Sequence, residues 1–171
     1  MSDAPLRGYG GHEWFWEPGD ENLIYPLDNL VEMYLKSVGR NSTLILGIAP
    51  DTSGLIPDAD GSRLADFGKR IGSMFSDPIA SRSGRGSQLN LNLKGDSEIS
   101  TIIIQEEIVK GERVRQYIID GRTSMGWKTI ATGSCIGHKR IETIEPITVS
   151  GIRLRITEAI DHPIIKNLAV Y

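Results

Sequence analysis

The stretch SQLNLNL, residues 87–93, alternates without a break: Leu89, Leu91 and Leu93 stand against Gln88, Asn90 and Asn92. A strand turns successive side chains to opposite faces, so this spacing predicts one apolar and one wet face, as in an antiparallel sheet. The same period returns in GIRLRIT, residues 151–157, where Ile152, Leu154 and Ile156 alternate with Arg153, Arg155 and Thr157. Further strands are predicted at 99–105, 113–119, 127–132, 140–144 and 164–171, set apart by the turn signals KGD, KGE, DGR and SMG. Seven short strands in about 85 residues predict a β-sandwich or jelly roll over residues 88–171.

Upstream, FSDPIASRSGRGS at residues 75–87 is rich in Ser, Gly, Pro and Arg, and predicts a connector over 76–87. Before it the period is helical. Leu23, Leu27, Leu30, Val31, Tyr34, Leu35 and Val38 recur every three or four residues, Pro26 fits only a first turn, and Gly39 suits a helix stop. The run at 43–48 is continuously apolar and predicts a strand buried on both faces of a parallel sheet. After a Pro- and Asp-rich loop, Asp60 or Ser62 is placed to cap a second helix with Leu64, Phe67, Ile71, Met74 and Phe75 on its apolar face. Helix, buried strand, loop and helix make a piece of an α/β fold. One parallel strand cannot satisfy its own ladder groups, so residues 1–75 are expected to be an incomplete unit.

The 171 residues are 39% hydrophobic and 24% charged, with mean hydropathy −0.19, which describes a globular chain. The net charge of −3, with Lys and Arg scattered along the chain, argues against nucleic acid and anionic membrane as partners. No apolar run approaches a membrane span. Cys135, the single cysteine, excludes an internal disulfide, and the first residues lack the basic and apolar regions of a secretory signal. No metal-ligand spacing or cofactor motif stands out, so the expectation is no metal and no cofactor.

Several elements resemble the α-L-fucosidases of glycoside hydrolase family 29. They are Trp14-Phe15-Trp16; Tyr34-Leu35-Lys36-Ser37-Val38-Gly39-Arg40-Asn41; Leu44-Ile45-Leu46-Gly47-Ile48; and Pro50-Asp51 followed by Gly54-Leu55-Ile56-Pro57. Residues 102–121, 126–141 and 151–171 resemble the galactose-binding-like β-sandwich at that family's C-terminus. The resemblance, from about Pro5 to Tyr171, implies an α+β chain: an incomplete (β/α) barrel segment at 1–75, the connector at 76–87, and an antiparallel β-sandwich of jelly-roll, galactose-binding-like type at 88–171. It implies retaining hydrolysis of terminal α-L-fucosides in an intact enzyme. The Asp nucleophile and separate acid/base carboxylate of that family precede the aromatic segment, so neither maps onto this chain, which is expected to be inactive alone. An intact parent of this kind would be periplasmic, extracellular or lysosomal.

The stretch GGHEWFWEPG, residues 10–19, is the tempting site. In an extended segment His12, Trp14 and Trp16 share one side, and Glu13 and Phe15 the other. Aromatic rings stack on the apolar C–H faces of sugars, so His12, Trp14 and Trp16 are the candidate substrate-binding residues. Glu13 and Glu17 are rejected as a catalytic pair, because nothing in a Trp/Pro/Gly loop keeps one protonated and the other ionised. SVGRN at 37–41 lacks the Lys-Ser/Thr ending of a phosphate loop. Gly39 and Asn41 suit a left-handed turn, and Arg40 a neighbouring acid or carbonyl. His138, Lys139 and Arg140, near Trp127, could meet a terminal sugar, but an internal network of Glu106, Arg113, Arg115 and His138 is the favoured reading. Cys135 reads as a small buried residue.

Three functional readings follow. The preferred one is a fragment of an α-L-fucosidase whose substrate is a fucosylated glycan; the second is a stand-alone carbohydrate-binding or interaction module. The third is one product of a split gene, completed by a separately encoded N-terminal barrel part.

Overall fold

The structure, a computed structural model, describes residues 1–11 and 14–171, with Lys110 described by its backbone alone. The chain divides into two compact units: Met1–Val38 with Ser42–Ser76, and Gly39–Asn41 with Asp77–Tyr171.

In the first unit, strand β1 (Ser2–Pro5) runs parallel to β2 (Leu44–Gly47), and helix α1 (Leu27–Ser37) crosses between them; helix α2 (Asp58–Met74) follows. Strand β1 was not predicted, because Ser-Asp-Ala-Pro carries neither β-branched residues nor alternation. The expectation that 43–48 is buried on both faces is corrected: among the described residues its sheet has two strands, and Ile45 remains 42% exposed. Helix α1 begins after Pro26, whose fixed φ suits an entry position, while Leu23 lies in a separate short 3-10 turn, Glu21–Leu23. Helix α2 begins two residues before the predicted cap. Asp60 is therefore in its first turn, where it holds Arg7 rather than capping the backbone. Leu6, Ile24 and Leu30 form the buried centre, packed by Tyr25, Met33, Leu46, Ile48, Leu64 and Phe67. Tyr34 meets Phe67 edge-on at 6.3 Å and stacks near Phe75 at 6.2 Å.

The second unit is a six-stranded antiparallel sheet in the order β3-β8-β4-β7-β5-β6, the fold of the β-sandwich domain. Its strands are β3 (Ala80–Arg85), β4 (Gln88–Glu106), β5 (Val114–Thr123), β6 (Gly126–Gly133), β7 (Arg140–Ala159) and β8 (Ile164–Val170). Two pairs of predicted strands are single long ones. KGD lies inside β4, where the register with β7 slips between Asn92 and Ser97 and again between Ile99 and Thr101, so Gly95 marks an irregularity in a bending strand, not a turn. DGR lies inside β5, and a Cβ on Gly121 would stand 2.8 Å from Val149 Cγ1. That glycine permits close packing, not chain reversal. KGE and SMG do turn, with Gly111 at φ 92° and Gly126 at φ 106°. The expected connector at 76–87 contains β3, which pairs with β8; the small polar residues of ASRSGR hide a strand whose side chains are mostly exposed.

The predicted alternation holds where it was read. Leu89, Leu91, Ile152, Leu154 and Ile156 are buried with Ile99, Ile102, Ile104, Val114, Tyr117, Ile119, Ile165, Leu168 and Val170 in one core. Each such side chain contributes roughly 1.5–3 kcal/mol by leaving water.

Candidate functional site

The C-terminal ends of two parallel strands open a cleft in the first unit. Pro5 and Gly47 are in register at the end of β1 and β2, and Leu6 N donates to Gly47 O at 2.8 Å. Beyond them Pro5, Arg7, Trp14, Phe15, Gly47, Ile48 and Ala49 line a space of about 140 Å³. The outer ends of parallel strands are where α/β folds place ligands, because loops diverge there while the sheet holds their roots. The Trp14 indole lies against Gly47: a Cβ on that glycine would be 3.3 Å from Trp14 Cζ3. Trp14 is 44% exposed and Phe15 81%, so both present aromatic surface.

The segment 14–20 is tied to the strands by charge. Arg7 follows β1 and is 3% exposed, yet every nitrogen of its guanidinium has an acceptor. Its Nε and Nη2 donate to the two carboxylate oxygens of Asp60 at 3.2 and 2.7 Å, and Nη1 pairs with Asp20. Asp20 Oδ2 in turn accepts from the Glu17 backbone N–H at 3.2 Å. Burial alone would lower the Arg7 pKa, but the hydrogen bond and charge of Asp60, with the charges of Asp20 and Glu21, raise it. It is a permanent cation between two acids.

Of the predicted substrate-binding residues, Trp14 is in the cleft. Trp16 is half-buried and not among the cleft-lining residues, and His12, like Glu13, lies outside the described residues. Phe15 joins Trp14 in the lining, so the strict alternation expected of an extended segment does not describe this loop. Sequence reasoning missed Arg7 and Asp20, and read Asp60 only as a helix cap. Their only sequence signal is charge, and 53 residues separate Arg7 from Asp60.

The second unit resolves the other candidates. Arg40 Nη1 donates to Ile141 O at 2.6 Å and reaches Glu142 Oε2 at 3.3 Å, a structural role as expected. Asn41 takes the left-handed conformation at φ 64° and its Oδ1 accepts from His138 N at 2.7 Å. Gly39 is not left-handed. Glu106, 2% exposed, accepts from the backbone N–H groups of Arg113, Val114 and Gly137 at 2.9–3.1 Å, while Arg115 pairs instead with Glu112. Cys135 is partly exposed with φ 54°, and not a buried filler.

No protein-family model matches the chain. The structure superposes at a TM-score of 0.98 on a candidate α-L-fucosidase from Bacteroides thetaiotaomicron VPI-5482, 50% identical over the whole of this chain. A second candidate α-L-fucosidase, from Bacteroides ovatus, matches 98% of the chain at 31% identity and a TM-score of 0.86. Alpha-L-fucosidase 1 of Arabidopsis thaliana is 26% identical over 195 aligned residues, 92% of the chain.

The chain is homologous to the family 29 α-L-fucosidases.

It spans 40%, 29% and 38% of the lengths of these three fucosidases, respectively. The family likeness covers both the aromatic segment with its parallel strands and the sandwich, so one homology accounts for both units.

Proposed function

We infer that this chain is part of an enzyme hydrolysing terminal α-L-fucosides of glycans, in which residues 1–75 belong to the catalytic (β/α) barrel and supply one aromatic wall of the sugar pocket. The observation that carries the reading is the Trp14 indole seated on Gly47 at the C-terminal ends of β1 and β2, in a chain 50% identical to a candidate fucosidase. A 6-deoxy sugar offers a methyl group and C–H bonds, which suit indole and phenyl rings better than hydroxyl-rich faces do. Indole neither titrates nor attacks, so the wall binds and excludes water.

Double displacement at the anomeric carbon needs a nucleophilic carboxylate and a proton donor about 5 Å apart. Among the described residues lining the cleft, Arg7 is the ionisable one, and both of its partners are engaged with it. The carboxylate pair is therefore assigned to other parts of the enzyme. The test is an aryl α-L-fucoside assay on the longest natural chain carrying this sequence, with the product anomer followed by proton NMR. The reading expects α-L-fucose to form first; absence of turnover, or first formation of the β anomer, would contradict it.

A further inference from the structure

Three arginines from two strands, Arg122 on β5 and Arg153 and Arg155 on β7, meet on the outer face of the second unit. The core side of β4, β5 and β7 takes Leu89, Leu91, Ile119, Ile152 and Leu154, so the alternate residues face outward. One row crosses four strands in register: Asn90 on β4, Arg153 on β7, Asp120 on β5 and Thr129 on β6. The neighbouring positions add Arg155, and the register pair of Arg122 with Trp127.

The charges do not balance. Arg153 and Arg155 share one carboxylate, Asp120, at 2.7–3.2 Å, and Asp120 is 2% exposed beneath them. The hydrogen bonds of Arg122 go to neutral oxygens, Ser150 Oγ at 2.9 Å, Ser150 O and Asn92 Oδ1. Three guanidinium groups, two of them on Asp120, are thus gathered on one face of a protein of net charge −3. They are held in place: the Arg153 guanidinium lies 4.5 Å from the centre of the Trp127 ring and that of Arg122 5.7 Å, the cation–π distance. Trp127 is still 41% exposed, and Gln88, Asn90 and Asn92 present amides along the same face.

We propose that this sheet face binds an anionic glycan, with sulfate esters on Arg122, Arg153 and Arg155 and a sugar ring against Trp127. Planar guanidinium groups pair two donors with sulfate oxygens, and fixing them beforehand lowers the ordering cost of binding. Four strands about 4.8 Å apart make a strip roughly 14 Å wide, enough for two or three sugar units. That the sugar is a fucan rests on the fucosidase reading; that it is anionic rests on the face alone. Scattered lysines and arginines argue against a polyanion only until the sheet gathers them.

The experiment is calorimetric titration of the 171-residue chain with a sulfated α-L-fucan, its chemically desulfated form, and polyphosphate. The expected result is binding to the sulfated fucan that weakens with salt, no detectable heat with the desulfated form, and at least tenfold weaker binding to polyphosphate. Arg122→Gln and Trp127→Ala should each lower affinity about tenfold with an unchanged melting temperature; Arg122 lies outside the Asp120 pair, so its loss leaves that network whole. Equal binding of the desulfated fucan, equal binding of polyphosphate, no binding of any, or sulfated-fucan affinity indifferent to both variants would each overturn the proposal. Loss of aryl fucoside hydrolysis in the parent enzyme with sulfated-fucan binding intact would instead fault the fucosidase reading.

Discussion

Arg7 shows how much a single buried cation can organise. It joins the end of β1, the first turn of α2 and, through Asp20, the backbone of Glu17 just beyond the aromatic triplet. Removing the guanidinium would strand two acids, one of them fully buried, so Arg7→Leu should destabilise the first unit by about 3–5 kcal/mol, measured by urea unfolding. Lysine should not rescue it, because one ammonium cannot serve Asp60 in the bidentate manner and Asp20 as well. Asp120 makes the matching pH prediction in the sandwich. Hydrogen bonds from Arg155, Thr129 and Arg153 outweigh burial and hold its carboxyl down at about 2. Its ordinary value is about 4. Its ion pairs therefore stabilise the fold fully above about pH 4, and that contribution is lost as pH falls towards 2. The shift corresponds to about 2 kcal/mol, and solvent around the partly exposed arginines reduces it to about 1 kcal/mol. Asp120→Asn should flatten the acid limb of a stability–pH curve by that amount; parallel curves for the two proteins would contradict it.

At the scale of elements, strands were legible where alternation was clean and missed where it was not. The rows Leu89-Leu91 and Ile152-Leu154-Ile156 were readable because each faces one core. Strand β3 was hidden by small polar residues, and β1 by the absence of any β-forming side chain. Gly95 and Gly121 were read as turns because a glycine in sequence does not say whether it reverses the chain, bends a strand or admits a neighbour. The last residue of β4 carries a device no local pattern reveals. Glu106 gathers three backbone donors from residues 113, 114 and 137, which no strand ladder satisfies. Glu106→Ala should leave these donors unpaired and cost about 3 kcal/mol or more by thermal unfolding, with Glu106→Gln intermediate, since its amide keeps one accepting oxygen. Equal stability of the three proteins would show that water serves those donors as well.

For the whole molecule, the antiparallel sandwich was readable from period alone, but the candidate site was only partly so. The aromatic segment stood out by composition, and Trp14 does line the cleft; the charges that pin it and the arginines that meet on the sandwich come from residues brought together by folding. The sandwich pairs its own strands and holds the larger core, whereas the first unit has two strands among the described residues. Limited proteolysis should therefore cut within residues 1–76 first and leave 77–171 intact. A resistant N-terminal piece and a degraded sandwich would reverse that ranking. The most direct test of the account lies in steady-state hydrolysis of an aryl α-L-fucoside, across pH, by the parent enzyme and its Trp14→Ala variant. A binding wall predicts weaker binding of substrate and transition state together, a rise in KM corresponding to about 1–3 kcal/mol, with kcat and the shape of the pH profile retained. An unchanged KM, or a pH profile that loses one limb, would contradict it.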